Sequence, residues 1–473
     1  MERVDLVVTP GITHSGLADR TRVYLTHHFG SCPHIEVIDH HRAHLASAFY
    51  PSGFERSMCL SYDGYGDQMS TVLALGDGAK LDILETYPWE NSLGVFYSAV
   101  TSYLGFEPSQ DEYKVMGLAS FGSPGVDLTH LLQPTAYGYE VAAHRCFRPA
   151  HASLANDEPL YGNGFDELGQ ARNSAQPLEQ RHADVAYAAQ RLLEESVHAL
   201  VGRLISLTGL HALCLAGGVA LNCTANGALA RRPDIHQLWV QPAASDRGLA
   251  LGCALHGSVA LGGAPRPVLT SAAMGKAYSA EEVASAARMS GIPFRSLSDP
   301  PKTTARLLNE GLVVGWYQGR SEFGPRSLGQ RSILADPRSG AMRDRVNDSI
   351  KFREPFRPFA PAVLEERASE LFEMTAPSPF MTIAYPVAPA WKSALEAVVH
   401  VDGTSRVQTV ADGPFREAIK EFEALTGVPA VLNTSFNVRG EPIVESPRDA
   451  VATFAGSGLD ALVMGDLLLE KPH

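Results

Sequence analysis

Leu213-Cys214-Leu215-Ala216-Gly217-Gly218-Val219-Ala220-Leu221-Asn222 is the stretch on which the fold class turns. Its first four residues read as a short apolar strand, and the two glycines end it. Upstream, from Asp184 to Leu207, the apolar residues Val185, Ala189, Leu192, Leu193, Val197, Leu200 and Leu204 recur at helical spacing, and Gly209 stops the run. Helix, strand, double glycine and a further helix form the grammar of an α/β nucleotide or phosphate site. Glycines let the backbone approach a phosphate closely, and the next helix offers free N–H groups. Strand-to-helix turns also commonly contain glycine with no ligand nearby.

Towards the N-terminus the pattern stays α/β. Asp5–Val8, Ile35–Ile38, Met58–Tyr62, Ser70–Leu75 and Leu81–Leu84 read as strands, with Asp63-Gly64-Tyr65-Gly66-Asp67 and Gly76-Asp77-Gly78 as breaks. Residues 123–180 are rich in turn formers and read as an irregular insertion. Towards the C-terminus, Gly262–Ser298 carries Pro265, Pro267, Gly275 and Pro293 and reads as a connector, interrupted by a capping box at Ser279–Glu282. Lys302–Asn309 then reads as helix and Leu312–Tyr317 as strand. The resulting division is 1–270, a connector 271–300, and 301–473.

His40 and His44 are spaced i, i+4, which on a helix puts both imidazoles on one face, close enough for one ion. Asp63 ends an apolar strand at a glycine turn, and Asp246 precedes the small-residue helix Leu249–Leu255. Either aspartate would also serve as an ordinary turn or N-cap residue. Two histidines and two carboxylates suit iron, manganese or zinc with an open position for substrate. Glu112 and Lys114 stand as contacts to a ligand hydroxyl or phosphate, or as a surface ion pair.

Between Glu322 and Arg357 the chain carries Arg326, Arg331, Arg338, Arg343, Arg345, Lys351, Arg353 and Arg357, interleaved with prolines and phenylalanines. In a chain of net charge −13, such a cluster asks for an anionic partner, and guanidinium forks match phosphate and carboxylate oxygens. Arg406 adds a further cation. Leu432-Asn433-Thr434-Ser435-Phe436-Asn437 ends a strand with amides and hydroxyls suited to a nucleotide, or to a simple turn. The same net charge argues against general nucleic-acid binding. No apolar run is long enough to span a membrane, and the six scattered cysteines lack a CxxC pair, so the expectation is a cytoplasmic enzyme.

Taken together and in order, these motifs resemble the antibiotic and nodulation O-carbamoyltransferase family, the group typified by tobramycin and cephalosporin carbamoyltransferases. The carrying stretches are His40-His41-Arg42-Ala43-His44, Tyr62–Asp67, Glu112–Ala119, Ala216–Cys223, Glu322–Gly329, Lys351–Pro361 and Leu432–Pro442. The resemblance implies an N-terminal actin/sugar-kinase-like domain, akin to the tRNA threonylcarbamoyl transferases, and a C-terminal YrdC-like α/β domain. It implies ATP and carbamoyl phosphate as substrates of the C-terminal domain, with Mg2+ accompanying ATP, and carbamoyl-adenylate as product. The carbamoyl group then passes to a hydroxyl of a natural-product acceptor beside a divalent metal of the Fe(II) type. Carried over by motif, His40, His44, Asp63 and Asp246 are the metal ligands. Lys114, Gly217, Gly218, Asn222, Arg331, Arg406, Asn433 and Ser435 bind nucleotide or donor, and Arg326, Lys351 and Arg357 act in activation. His41 and His14 are not carried over.

One departure carries an expectation of its own. Val4–Val8 resembles a strand lying further into the actin-like domain, so the family's opening hairpin is expected to be absent, which leaves the general base unassigned: either the start lies upstream or the acceptor site is assembled differently. The strand Asp5–Val8 would then lie at an exposed edge and favour a homodimer or an open acceptor pocket. The competing readings are a tRNA threonylcarbamoyl-type transferase, opposed by the negative charge and the fused arrangement, and a non-catalytic member, opposed by the intact ligand set.

Overall fold

The computed structural model describes residues 4–148, 159–263 and 268–471. Pro265 and Pro267, counted towards the connector, lie outside the described residues, as do residues 149–158 of the expected irregular stretch. The chain divides into two compact units, Met1–Leu269 and Thr270–His473.

In the first unit, β1 (Leu6–Pro10) and β2 (His34–Ile38) pair in parallel as a separate two-stranded sheet, joined by the helix Leu17–Phe29. Next come β3 (Arg56–Gly66), β4 (Met69–Asp77) and β5 (Lys80–Pro88), an antiparallel meander. β6 (Leu132–Thr135) and β7 (Gly138–Val141) form a hairpin within the stretch expected to be irregular. β8 (Ala212–Ala216) and β9 (Gln237–Val240) then add to β3 in parallel, so the main sheet runs β5-β4-β3-β8-β9. β8 is buried from Leu213 to Ala216, as its uninterrupted apolar run requires. The long helix Gln180–Thr208 begins four residues before the expected Asp184, its capping box closed by Glu179 and His182 rather than by the usual Ser or Thr.

β3 does not break at Asp63. It continues to Gly66, and the pairing with β4 slips between Tyr62 and Gly66, a bulge that re-aims the residues within it. Asp67 and Gln68 close the hairpin, both with positive φ, as the twist of a tight hairpin demands. Against this edge packs the helix His40–Phe49, N-capped by Asp39, whose carboxylate accepts the Arg42 N–H at 2.9 Å. Leu45, Phe49, Cys59, Ala74 and Cys214 bury the contact. The helix Leu249–Ala260 lies across its other side, and there only glycine fits: a Cβ on Gly252 would stand 1.9 Å from the Ala43 carbonyl oxygen.

The second unit is a mixed eight-stranded sheet in the order β10-β19-β18-β11-β12-β17-β13-β16. Its strands are β10 (Phe294–Ser296), β11 (Val314–Tyr317), β12 (Arg331–Ala335), β13 (Ala360–Leu364), β16 (Gln408–Val410), β17 (Ala430–Ser435), β18 (Ala461–Met464) and β19 (Leu467–Glu470). β14 (Ala384–Pro386) and β15 (Thr404–Arg406) pair separately. Residues 271–300, read as connector, contribute the helix Ala280–Ser290 and the edge strand β10, which pairs with β19. No helix among the described residues is long and apolar enough to cross a membrane.

Candidate metal centre and cationic site

His40 and His44 project from the first turns of their helix towards the bulge of β3. Asp63 enters from the bulge, and Asp246 from the short 3-10 turn before the helix Leu249–Ala260. One ligand atom from each lies within 4.8 Å of all the others. His44 Nε2 stands 2.8 Å from Asp63 Oδ2, 3.1 Å from His40 Nε2 and 3.4 Å from Asp246 Oδ1. His40 Nε2 is 3.4 Å from Asp63 Oδ2 and 3.5 Å from Asp246 Oδ1. A single ring N–H satisfies one of these neighbours, whereas a divalent cation satisfies all four atoms together. The donor set of two imidazoles and two carboxylates therefore fits such an ion.

The electrostatics agree. Burial pulls the His44 imidazolium down, yet the Asp246 and Asp63 carboxylates outweigh it and lift its pKa to about 9. Burial pushes the Asp63 carboxyl up, but His40, His44 and the Gly64 N–H together hold it well below the usual carboxylate range. The second Asp63 oxygen, Oδ1, is fixed by the N–H groups of Gly64 at 2.7 Å and Gly218 at 3.1 Å. The glycine loop after β8 is thus tied directly to a metal-site carboxylate. Gly217 makes this possible: its φ of 91° is left-handed, and a Cβ there would lie 2.2 Å from the Tyr62 carbonyl oxygen. On the far side His44 Nδ1 is buried with no hydrogen-bond partner, so the ring is held by packing and not by the usual carbonyl or carboxylate. Asp246 is the open wall, its side chain 71% exposed where that of His44 is 0%.

Sequence reasoning left Asp67 unassigned, and it is the brace of this centre. Its carboxylate accepts the backbone N–H groups of His40 (2.8 Å), Ile12 (3.0 Å) and Thr13 (2.9 Å) and the Thr13 hydroxyl (2.7 Å). The one signal available was its position four residues after Asp63 in the same turn. His41 faces the sheet instead: Nδ1 meets Ser61 Oγ at 2.8 Å, and burial lowers its pKa to about 4.

Two other candidates in this unit are engaged by protein. Asn222 caps the helix Cys223–Ala230 by accepting the Ala225 N–H, and its amide pairs in both directions with Gln190 at 2.8 and 3.0 Å. Lys114 pairs with Asp111 at 2.9 Å and lies over the Phe106 ring. The partner of Lys114 is thus Asp111 and not Glu112, which accepts from Ser98 Oγ and the Ser109 N–H.

In the second unit the cationic run is only partly a site. Arg331, expected to contact a ligand, is bonded to the protein in this structure. It is fully buried, its guanidinium bonds the carbonyls of Gln318, Gln330, Gly319 and Glu445, and it stacks on Tyr317 at 3.7 Å. Those carbonyls occupy its fork, so it serves the fold. Arg338, Arg343 and Arg345 are neutralised by Asp336, Asp344 and Asp460. What converges lies around the loop 321–330 and the end of β17. Asn433, 1% exposed, donates to Gln408 Oε1 at 2.8 Å and the Ser327 carbonyl at 3.2 Å, while Gln408 donates to the Leu328 carbonyl. Glu322 organises the loop by accepting the N–H groups of Leu328, Gln330 and Arg331 on one oxygen. Gln408 and Glu322 were not singled out by sequence.

Lys351 ends a π-helical turn at Asn347–Lys351 and is buried. Its ammonium meets the carbonyls of Ser435 and Asn437 at 2.5 and 2.9 Å, the Asn437 amide oxygen at 2.8 Å and Ser435 Oγ at 3.2 Å. Burial, then Arg353 and Arg357, push its pKa well down. Ser435, expected to bind nucleotide or donor, therefore sits with Lys351. Arg326, Arg357 and Arg406 are half-buried; Arg357 pairs with Glu354 at 3.4 Å, and Arg406 ends β15.

A two-unit α/β chain with a histidine–carboxylate cluster that could hold a metal ion, tied to a glycine loop, defines the class of the protein. Two family models then match: carbamoyltransferase N-terminus over residues 21–255 and carbamoyltransferase C-terminus over residues 305–471. Nodulation protein NolNO of Sinorhizobium fredii is 42% identical over 92% of this chain and 64% of its own length. Nodulation protein NolO of Bradyrhizobium diazoefficiens is 41% identical over 92% of this chain and 79% of its own, and a nodulation protein U of Sinorhizobium fredii is 32% identical over 97% and 80%. The chain belongs to the carbamoyltransferase family. It spans 64% of the length of NolNO. A crystal structure of T. kodakarensis HypF overlaps 56% of the chain at 14% identity with a TM-score of 0.34, too slight a likeness to bear on the fold.

Proposed function

We propose that this chain is an ATP-dependent O-carbamoyltransferase that activates carbamoyl phosphate as carbamoyl-adenylate in the second unit and delivers it to a natural-product hydroxyl in the first. The observation that carries the reading is the convergence of His40, His44, Asp63 and Asp246 on one point, with Asp63 tied to the Gly217-Gly218 loop, inside a member of this family. The strand order β5-β4-β3-β8-β9, three antiparallel strands followed by two parallel ones, supports an actin/sugar-kinase-like first unit. The mixed sheet of the second supports a YrdC-like one. Six free cysteines, five of them buried, support a reducing, cytoplasmic setting.

The overall chemistry balances simply. Carbamoyl phosphate gives up inorganic phosphate to yield carbamate, a carbamate oxygen attacks the α-phosphorus of ATP, and pyrophosphate leaves, so that AMP becomes the leaving group of the carbamoyl-adenylate; Mg2+ would neutralise the phosphates. The acceptor oxygen then attacks the carbamoyl carbon, the C–O bond to AMP breaks, and the acceptor proton passes to solvent or a base. In the second unit Arg326, Arg357 and Arg406 would neutralise donor and nucleotide oxygens, and Lys351 holds the end of β17 through Ser435. In the first, the N-terminus of the helix Cys223–Ala230 would receive the adenylate phosphate, while the Gly218 N–H stays on Asp63. His40, His44, Asp63 and Asp246 would hold a divalent metal, Fe(II) being the family's type, which when bound supplies Lewis-acid stabilisation of developing negative charge.

The half-reactions separate the roles. Arg326→Ala should abolish carbamoyl-phosphate-dependent pyrophosphate release from ATP. His44→Ala should retain that release and lose carbamoylation of an acceptor alcohol. Loss of pyrophosphate release in His44→Ala, with the fold intact by circular dichroism, would contradict the division.

A further inference from the structure

Asp63 reaches the candidate metal centre from the bulge of β3, where the ladder with β4 is interrupted between Tyr62 and Gly66. Residues inside a bulge lose their strand partners, so their buried carbonyls must find donors elsewhere. For Asp63 and Gly64 the donor is Ser92. Its Oγ lies 3.0 Å from the Asp63 carbonyl oxygen and 2.5 Å from that of Gly64, and its one hydroxyl proton is shared between them. The same oxygen accepts the Val95 N–H at 3.0 Å and so caps the helix Leu93–Tyr103. Ser92 is fully buried.

Gly94, in the first turn of that helix, closes the same contact. A Cβ there would stand 2.6 Å from the Asp63 carbonyl oxygen and 2.7 Å from the Gly64 nitrogen, so the helix lies directly on the bulge only because this position is glycine. The Gly64 N–H it packs against is the one that donates to Asp63 Oδ1. The helix is anchored along its length. Leu93, Phe96 and Val100 are buried, the Tyr97 hydroxyl donates to Gln190 Oε1 at 2.7 Å, and the Tyr103 hydroxyl donates to the Leu168 carbonyl at 3.0 Å. The helix thus grips the Asp63 backbone, while the glycine loop after β8 grips its carboxylate.

We propose that Ser92 and Gly94 are positioning residues for the candidate metal centre, fixing the bulge so that Asp63 Oδ2 stays beside His40 and His44. The inference rests on the reading of His40, His44, Asp63 and Asp246 as a divalent-metal site. Neither Ser92 nor Gly94 supplies a ligand atom. They act by removing freedom from one that does: a donor already in place loses little entropy when the ion arrives.

The cap and the brace can be separated at Ser92. Threonine and glycine are comparable N-caps, and only threonine keeps the hydroxyl. The full chain is titrated with Mn2+ and with Co2+ in competition with a chromogenic chelator, circular dichroism showing each variant folded. Ser92→Gly should weaken both metals roughly 10–100-fold, the usual effect of losing a group that orients a ligand. Ser92→Thr should stay close to the unmodified chain. Gly94→Ala favours a helix in isolation, yet it should weaken both metals comparably, and it decides the matter if Ser92→Gly does not fold. The visible absorption of bound Co2+ reports ligand geometry and should change in Ser92→Gly and Gly94→Ala. A merely structural role would lower the urea midpoint and leave affinity and spectrum alone. Unchanged affinity in Ser92→Gly or Gly94→Ala, or equal losses in Ser92→Thr and Ser92→Gly, would overturn the proposal and leave the metal site standing. Failure of the unmodified chain to take up either ion would overturn the metal reading itself, and the proposal with it.

Discussion

At the scale of single residues, the candidate metal centre depends on side chains held from behind. Asp67 touches no ligand atom but fixes the His40 backbone and the Ile12–Thr13 loop with four accepted hydrogen bonds. Asp67→Ala should therefore lower divalent-metal affinity roughly 10–100-fold with all four ligands present, measured by competition with a chromogenic chelator. Glu322 sets a different expectation. Burial raises its pKa despite three backbone N–H bonds to one oxygen, while the other oxygen is buried without a partner. A carboxyl whose folded pKa exceeds its unfolded value binds more protons folded than unfolded between the two. Stability then falls as pH rises through that window. Glu322→Gln keeps the acceptor oxygen and removes the titration. Its stability relative to the unmodified chain should rise from pH 5 to pH 8, read from urea midpoints.

At the scale of elements, the ligands were legible because spacing encodes them: i, i+4 histidines on a helix and an aspartate at a glycine turn. The bulge in β3 was not, since Asp63-Gly64-Tyr65-Gly66 reads equally as a loop, and only pairing with β4 shows the strand continuing. Nor could counting charges tell Arg331 from Arg326. A guanidinium can be solvated by main-chain carbonyls as well as by phosphate, and which occurs depends on the turns at Gln318–Gly319 and Glu445. The long helix was visible from its apolar period, whereas its start was hidden because a glutamate and a histidine form the cap. The contact of the helices His40–Phe49 and Leu249–Ala260 rests on Gly252. Gly252→Ala must part them at the Ala43 carbonyl, an overpacking cost of about 1–3 kcal/mol. Because His44 and Asp246 stand on opposite sides of that contact, metal affinity should fall together with the urea midpoint.

At the scale of the molecule, each unit has its own sheet and core, and among the described residues the candidate metal cluster lies in the first. Differential scanning calorimetry should resolve two transitions. Chelation should lower one of them, by the linkage of a bound ion, about 2.7 kcal/mol at a hundredfold excess over Kd, and leave the other in place. A single transition moving as a whole would show the units unfold together. Among the described strands β1 pairs with β2 alone, and the helix Leu17–Phe29 between them buries none of its residues, leaving Val23, Tyr24 and Phe29 exposed. Sedimentation velocity should show concentration-dependent association that Val23→Lys with Tyr24→Lys removes.

The uneven exposure of the four ligands bears on kinetics. His40 and His44 come from one helix and Asp63 from a bulge pinned at two N–H groups, so three donors are fixed before any ion arrives. Asp246, on a short turn and mostly in solvent, is the donor that can swing. Ion entry and escape should then pass through that one carboxylate, and replacing it should speed release far more than it slows capture. A centre with such a door exchanges its occupant readily. Which metal such a centre would carry would follow supply as closely as intrinsic preference, and metal loaded during expression would report the growth medium before it reported the protein.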